Sequence, residues 1–344
     1  MIAEQVQPHR PVRGHRSRSL GGIVVRSAVG LLAVAGLVVL RVVAVPSWTA
    51  GLSTAARDFV TLSVSVMVES LPFVFLGIAI SVLVQVWLPD RVWDVLPRRP
   101  VLRRLVLSLL GVLFPVCECG NVPLARGLML RGLGVAESLT FLMAAPILNP
   151  VTIVTTYQAF GFDDGILAGR VAGAFVIANL VGWIFSRHPA PDRLLTPGFI
   201  AACAADHHGG GGRWRRSADA FATETTTMLP ALVAGSLLAG AIQVGIPRDW
   251  LLGLGSNPTI SVAMLMALAF AVSMCSNVDA FFALSLGATF APGAIIAFLV
   301  FGAMIDIKML TLLRTTFTTR ALALLTALVL FATLVIGLGV NLAL

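Results

Sequence analysis

The sequence predicts an all-α polytopic membrane protein: two inverted repeats, each of about three spans plus a re-entrant or broken helical hairpin, and one extra N-terminal helix. Three observations predict it. The composition is too apolar for water, several stretches are long enough to cross a bilayer, and a short motif recurs at a fixed distance along the chain.

Of 344 residues, 58% are hydrophobic and 12% charged, and the mean hydropathy is +0.94. That balance leaves too few polar side chains to cover a soluble domain. A hydrocarbon core of roughly 30 Å needs about 20 apolar residues per helix. Ala28 to Val45, Phe59 to Leu88, Ile166 to Phe185, Leu229 to Ile246 and Ala321 to Leu342 are candidates.

A net charge of +8 would suit a nucleic-acid binder if it lay on one face of a folded domain. Here the basic residues form short runs between apolar stretches, so no nucleic-acid partner is expected. The expected partners are the lipid bilayer and a small-molecule or ion substrate, and the pattern is compatible with a homo-oligomer. The runs orient the chain by the positive-inside rule. Arg10 to Arg18, Arg91 to Arg104, Arg187 to Arg216, and Lys308, Arg314 and Arg320 are placed in the cytoplasm, and Asp163 with Asp164 outside. The membrane is read as a bacterial-type inner membrane with the N-terminus cytoplasmic, the first apolar stretch being an uncleaved helix rather than a signal peptide.

Parity then constrains the region between Arg104 and Arg187. Both ends are inside, so the full crossings must be even in number. Val135 to Phe160 and Ile166 to Phe185 are long enough to span; Leu102 to Val116 is short and runs into CECGNVP. A hairpin that dips in and returns satisfies parity and charge, whereas a full broken span would put the Arg187 to Arg216 loop outside.

The repeat supports this plan. FPVCECGNV at Phe114 to Val122 matches FAVSMCSNV at Phe270 to Val278, with Cys119 and Asn121 each 156 positions before Cys275 and Asn277. About 28 residues later each half carries a second break, PILNP at Pro146 to Pro150 and MIDIK at Met304 to Lys308. The chain divides into a basic tail over 1–27, an extra helix and loop over 28–57, a first repeat over 58–186, a cytoplasmic linker over 187–218 and a second repeat over 219–344. An odd number of spans per half makes the two repeats antiparallel in the membrane.

Irregular backbone at membrane depth is tolerated only inside protein or beside an aqueous cavity. The breaks around Pro115, Gly120 and Pro123, around Pro146 and Pro150, and through Cys275, Ser276, Asn277 and Asp279 are therefore expected to face a pathway. The tips are placed at Cys117 to Pro123 and Cys275 to Asp279. Charged groups at this depth cost at least about 2.5 kcal/mol each, so each needs a partner or water. Glu69, three residues before Pro72, is the first candidate for a coupling proton, with Asp279 comparable and Asp306 behind them. For each, a buried ion pair or structural acid is the competing reading. Asn149 matches Asp306 across the repeat, a pair of side-chain oxygens suited to substrate. Lys308 is the chain's sole lysine, and it shares a site with Asp306 only if Met304 to Lys308 is unwound. Asn121 and Glu118 complete the intramembrane polar set.

Cys117, Cys119 and Cys275 offer two or three thiols to a soft solute such as trivalent arsenic; packing as ordinary apolar residues is the alternative. No resident metal or cofactor is expected. With Ile307 before the only lysine there is no Walker A motif, so any ATPase would be a separate partner.

CECGNVPLARGL at Cys117 to Leu128, AAPILNP at Ala144 to Pro150, CSNVDAFFALS at Cys275 to Ser285 and GAMIDIK at Gly302 to Lys308 together resemble the predicted permease family (UPF0718/DUF318 type) that includes the trivalent organoarsenical efflux permeases. The resemblance covers most of the chain from Asp58 onward. It implies a permease, not an enzyme, with Cys117, Cys119, Gly120, Pro123, Pro146, Asn149, Pro150, Cys275, Ser276, Asp279, Asp306 and Lys308 as the positions of interest. Ala303 stands where the family often has proline, which implies a softer second break.

The expected function is a secondary permease exporting a small solute, a trivalent organoarsenical among the candidates, on an ion or proton gradient. The alternative is a membrane thiol oxidoreductase relaying electrons through Cys117, Cys119 and Cys275, although Cys117 aligns with Ser273. The topology is testable directly. A reporter enzyme active only outside the cytoplasm should be active when fused after Asp164 and silent after Arg187 or Arg216; activity at the last two would replace the hairpin by a full broken span.

Overall fold

A computed structural model describes residues 53–343 apart from 90, 92–95, 98, 115, 163, 206–211, 246–257 and 288. The expectations for the tail over 1–27, most of the extra helix over 28–57, Pro115 and Asp163 lie outside the described residues. Every regular element described is helical, and the chain is an all-α polytopic membrane protein. The helices are α1 Thr54–Trp87, α2 Pro100–Leu109 with a 3-10 turn at Leu110–Leu113, α3 Glu118–Leu130, α4 Val135–Ala144, α5 Pro150–Phe160 and α6 Ile166–Phe185. After them come α7 Pro197–Ala205, α8 Arg213–Gly245, α9 Pro258–Val272, α10 Asp279–Leu286, α11 Pro292–Met304, α12 Ile307–Leu313 and α13 Thr319–Ala343.

Five helical stretches among the described residues are long and apolar enough to cross a membrane: α1, α6, α8, α11 with α12, and α13. Their outer faces keep large apolar side chains exposed, as at Leu83 on α1, Val176 on α6 and Phe331 on α13. Water would penalise such a surface; lipid does not.

The short helices lie inside this frame, and local sequence sets where each starts. Asn149 caps α5 by accepting from the Val151 amide at 2.8 Å, with Pro150 at the first helical position, where a missing N–H costs nothing. Asp306 caps α12 by accepting from the Met309 amide at 2.6 Å. The two residues matched across the repeat thus do the same local work. Ser273 adopts a positive φ of 50°, a conformation that costs a non-glycine residue on the order of 1–2 kcal/mol. Its hydroxyl accepts from the Ile307 amide at 3.3 Å, joining the third break to the fourth.

The first break differs from the expected tip. The irregular stretch lies between Leu113 and Glu118, and Gly120 and Pro123 sit within α3. Pro123 cannot donate to the preceding turn, and its carbonyl instead accepts from Ser81 on α1 at 2.7 Å. The fourth break falls at Ile305 and Asp306, two residues beyond Ala303. The described part of the linker folds into a 3-10 turn at Pro191–Leu194 and into α7, and it is stitched to the segment after α12 by Thr196 N–H to Thr316 O at 2.8 Å and Thr318 N–H to Leu194 O at 2.9 Å.

The two long helices α1 and α8 pack along each other, α1 also covering α3 and α8 covering α12. Small residues make these approaches close, as in membrane helix packing generally. A Cβ on Gly77 would collide with the Gly120 backbone, one on Gly240 with Ser63, and one on Gly235 with Thr311. Gly77→Val should therefore destabilise the purified protein by about 1–3 kcal/mol, read as a lower melting temperature in detergent. Gly339→Ala, where an added methyl meets nothing within 4 Å, should hold or raise it.

Candidate functional site

The four breaks meet. α3, α5, α10 and α12 all begin there, so four helix N-termini open onto one volume, each carrying a side chain able to accept from a free amide: Glu118, Asn149, Asp279 and Asp306. The backbone left open by the breaks is satisfied from neighbouring segments. The Val116 carbonyl accepts from Asn121 at 3.3 Å and Asn149 at 3.0 Å. The Val272 carbonyl, on the other tip, accepts from Gln243 of α8 at 2.8 Å.

At the centre Glu118 is fully buried. One of its oxygens accepts from the Ser276 hydroxyl at 2.9 Å and the Ser276 amide at 3.3 Å. The other lies 3.7 Å from the Lys308 ammonium, which lies 3.7 Å from Asp306 as well. Among the described residues Glu118 Oε1, Asp306 Oδ2 and Lys308 Nζ have no hydrogen-bond partner, and neither does Asn121 Oδ1. The ion pairs are thus held at a distance, leaving polar atoms that a solute or water could engage.

The thiols converge on the same place. Cys117 makes side-chain contacts with both Cys119 and Cys275, and all three are free and buried. Cys117, Glu118 and Cys119 present their ligand atoms within 4.8 Å of one another. This set suits a soft ion or a trivalent metalloid better than a hard cation, because sulfur supplies most of its donors.

Beside the cluster lies a second polar group. Arg170 of α6 pairs with Asp279 at 2.6 Å, donates to the Thr156 hydroxyl at 2.8 Å and reaches the Ser276 carbonyl at 3.4 Å. Thr152 donates to the Pro146 carbonyl at 2.9 Å and to the Asn277 side chain at 3.1 Å. Of the two readings of Asp279, the structure shows the buried ion pair.

The structure thus gathers Cys117, Cys119, Asn121, Asn149, Cys275, Ser276, Asn277, Asp279, Asp306 and Lys308 around Glu118. Pro146 and Pro150 shape the second break beside them. Gly120 and Pro123 form the contact of α3 with α1. Glu69 is left exposed on α1, outside the cluster. The sequence reading passes over Arg170 and Gln243, and it keeps Glu118 only as one member of the polar set. Arg170 could have been found: it is the sole charged residue in the apolar stretch from Ile166 to Phe185.

Comparison with known proteins finds related membrane proteins. The chain is 34% identical over 283 residues to the UPF0718 protein YcgR of Bacillus subtilis, covering 78% of this chain and 92% of the relative. It is 31% identical over 277 residues to a putative two-component membrane permease complex subunit of Streptococcus mutans, covering 78% and 90%. The UPF0718 protein YraQ of Escherichia coli is 27% identical over 205 residues, covering 58% and 55%. No solved structure matches the chain. The family model described as a predicted permease matches residues 55–342, and the chain, a multi-pass membrane protein with four broken helices meeting at a buried thiol cluster, belongs to that permease family.

Proposed function

We propose that the chain is a secondary permease that exports a small, thiol-seeking solute, a trivalent organoarsenical being the leading candidate, across a bacterial inner membrane. One observation carries this reading: three free thiols from two distant stretches of sequence meet at the broken helices, next to Glu118, Asp306 and Lys308, each with one polar atom that has no hydrogen-bond partner among the described residues. Buried cysteines that only filled space would not need Glu118, Lys308 and Asp306 among them, since each buried charge is costly.

The paired breaks support an inverted repeat over 58–186 and 219–344, with residues 187–218 joining them on the cytoplasmic side. Beyond the motif itself, Pro72, Gly77 and Gln85 of α1 recur as Pro230, Gly235 and Gln243 of α8, each 158 positions on. Both glutamines work beside a hairpin: Gln243 donates to the Val272 carbonyl, and Gln85 donates to Ser81, which holds the Pro123 carbonyl. An inverted repeat gives two related conformations, facing opposite sides, from one fold. Transport uphill would then draw on an ion or proton gradient, with Asp306, Asp279 and Glu69 as the carboxylates that sequence places on the pathway. The Streptococcus mutans relative is named as a complex subunit, so a partner chain is part of the proposal.

In everted vesicles, uptake of phenylarsenite should be present with the wild-type chain, collapse with an uncoupler, and fall to the level of vesicles lacking the protein when Cys117, Cys119 and Cys275 are all replaced by serine. Uptake by the triple variant would remove the thiols from the substrate site, and uptake indifferent to every gradient would make the protein a facilitator. The same variant separates a thiol relay, which would lose electron transfer across the membrane, from a permease for a non-thiophilic solute, whose transport would survive.

A further inference from the structure

The thiols and the charges between them are closed off on both sides. Cys117, Cys119 and Cys275 are at most 3% exposed, and Glu118, Asp306 and Lys308 are fully buried, so no solute reaches them unless some part of the surrounding protein opens. Two arginines close the surrounding protein, and they lie on opposite sides of the cluster.

Their separation can be read along α6. Near its start Arg170 bonds Thr156 in the last half of α5. Twelve residues on, at a rise of about 1.5 Å per residue roughly 18 Å away, Gly182 lies against Ala136 and Thr140 in the first two turns of α4. The start of α4 follows the end of α3 after a turn of four residues, Arg131 to Gly134, so the end of α3 lies at the Gly182 level. Arg126 sits in that last part of α3, eight residues, or about 12 Å, beyond Glu118. Arg126 and Arg170 thus mark the two opposite ends of the path through the cluster.

Each closes its end by the same chemistry. Arg126 pairs with Glu224 of α8 at 3.0 Å, donates to the Thr316 hydroxyl at 2.7 Å and the Thr315 carbonyl at 3.3 Å just after α12, and lies over the Phe199 ring of α7 at 4.6 Å. Arg170 ties α5, α6 and the start of α10 through Thr156, Asp279 and the Ser276 carbonyl. In both cases the arginine comes from residues 58–186 and the carboxylate from residues 219–344. Both pairs are buried. A purely structural fastening would not need two charged pairs, because apolar side chains of the same volume fasten a core at least as well. A pair that must break reversibly gains from being polar, since each partner is stable in water once its end opens.

We propose that Arg126–Glu224 and Arg170–Asp279 are the two gates of the path, one at each end of the thiol cluster, closed together here in an occluded state and opened one at a time. This rests on the permease reading for its purpose, but it is tested without any solute. In a Cys203→Ser background the buried thiols Cys117, Cys119 and Cys275 report access to a membrane-impermeant maleimide, applied to right-side-out and inverted vesicles. Glu224→Gln should raise the labelling rate about tenfold from the face nearer Arg126, and Asp279→Asn by a similar factor from the opposite face, each by shifting the balance between two conformations. Should either single variant fail to fold, the paired replacements Arg126→Gln with Glu224→Gln and Arg170→Gln with Asp279→Asn weaken the same gates while leaving no lone buried charge. Labelling from the same face in both cases, or no change in folded protein, overturns the gates. Failure of wild-type vesicles to transport arsenicals would count against the substrate alone, because the labelling does not depend on it.

Discussion

Backbone amides and carbonyls released at membrane depth are the constraint from which the rest of this structure follows. Lipid offers them no partner, and each one left alone costs several kcal/mol. Four breaks in one small volume would be ruinous if each were solved separately, so they are solved together. Asn121 and Asn149 share the Val116 carbonyl, Ser273 takes the Ile307 amide, Glu118 takes the Ser276 amide, and Gln243 reaches in from α8 to the Val272 carbonyl. One of these bonds, from the Ser276 amide to Glu118, joins residues 158 positions apart, so the break at Ser276 is completed from the other half of the chain.

Charge follows from the same arrangement. A helix N-terminus is a place where a carboxylate is stabilised, and the breaks create several. Glu118, Asp279 and Asp306 occupy such positions, and their negative charge calls for cations nearby. Arg170 is bound to Asp279 at 2.6 Å, but Lys308 is shared between Glu118 and Asp306 at 3.7 Å from each. The first pair is in direct contact. The second grouping is looser, and it is the one that adjoins the thiols.

What could be read from sequence divides along physical lines. Most of the described spans, the breaks and the cysteine motif were legible because hydrophobic length, proline and local identity are properties of short windows, but Val135 to Phe160, long enough to cross, is broken into the two short helices α4 and α5. The unwinding that lets Asp306 and Lys308 share a site was legible as a condition, since two residues apart on a regular helix they would face away from each other. Contacts between distant elements were not legible. Gln243 looks like one polar residue near the end of a long apolar helix, and only its bond to Val272 gives it a role. Glu69 shows the complementary case: it was read beside Pro72 as a coupling candidate, and it lies exposed on α1, apart from the cluster. Position along a helix is visible in sequence; which face meets the core depends on packing. Gly120 and Pro123 were read as the tip itself because glycine and proline usually punctuate helices. Here glycine serves close approach to Gly77 and proline exports its carbonyl to Ser81.

The two ends of the path are built unequally. α3 and α12 are backed by the long pair α1 and α8, which pack along each other as well as on the short helices. On that side Gly77 and Gly235 bring backbones into contact, and α7 adds Phe199 beneath Arg126. α5 and α10 pack on each other, on α6 and on α11, and they keep Val154, Tyr157, Phe281 and Leu284 exposed. Local opening is easiest where fewest buried contacts must be given up. The α5–α10 side can therefore open by moving two short helices, whereas the α3–α12 side must carry α1 or α8 with it. Under the gating proposed above, opening the α3–α12 end would take a shift of whole helices across the α1–α8 contact. That contact is close at Gly240, where an added Cβ would collide with Ser63, so small residues there leave no interlocking side chain between the two helices to be pulled apart.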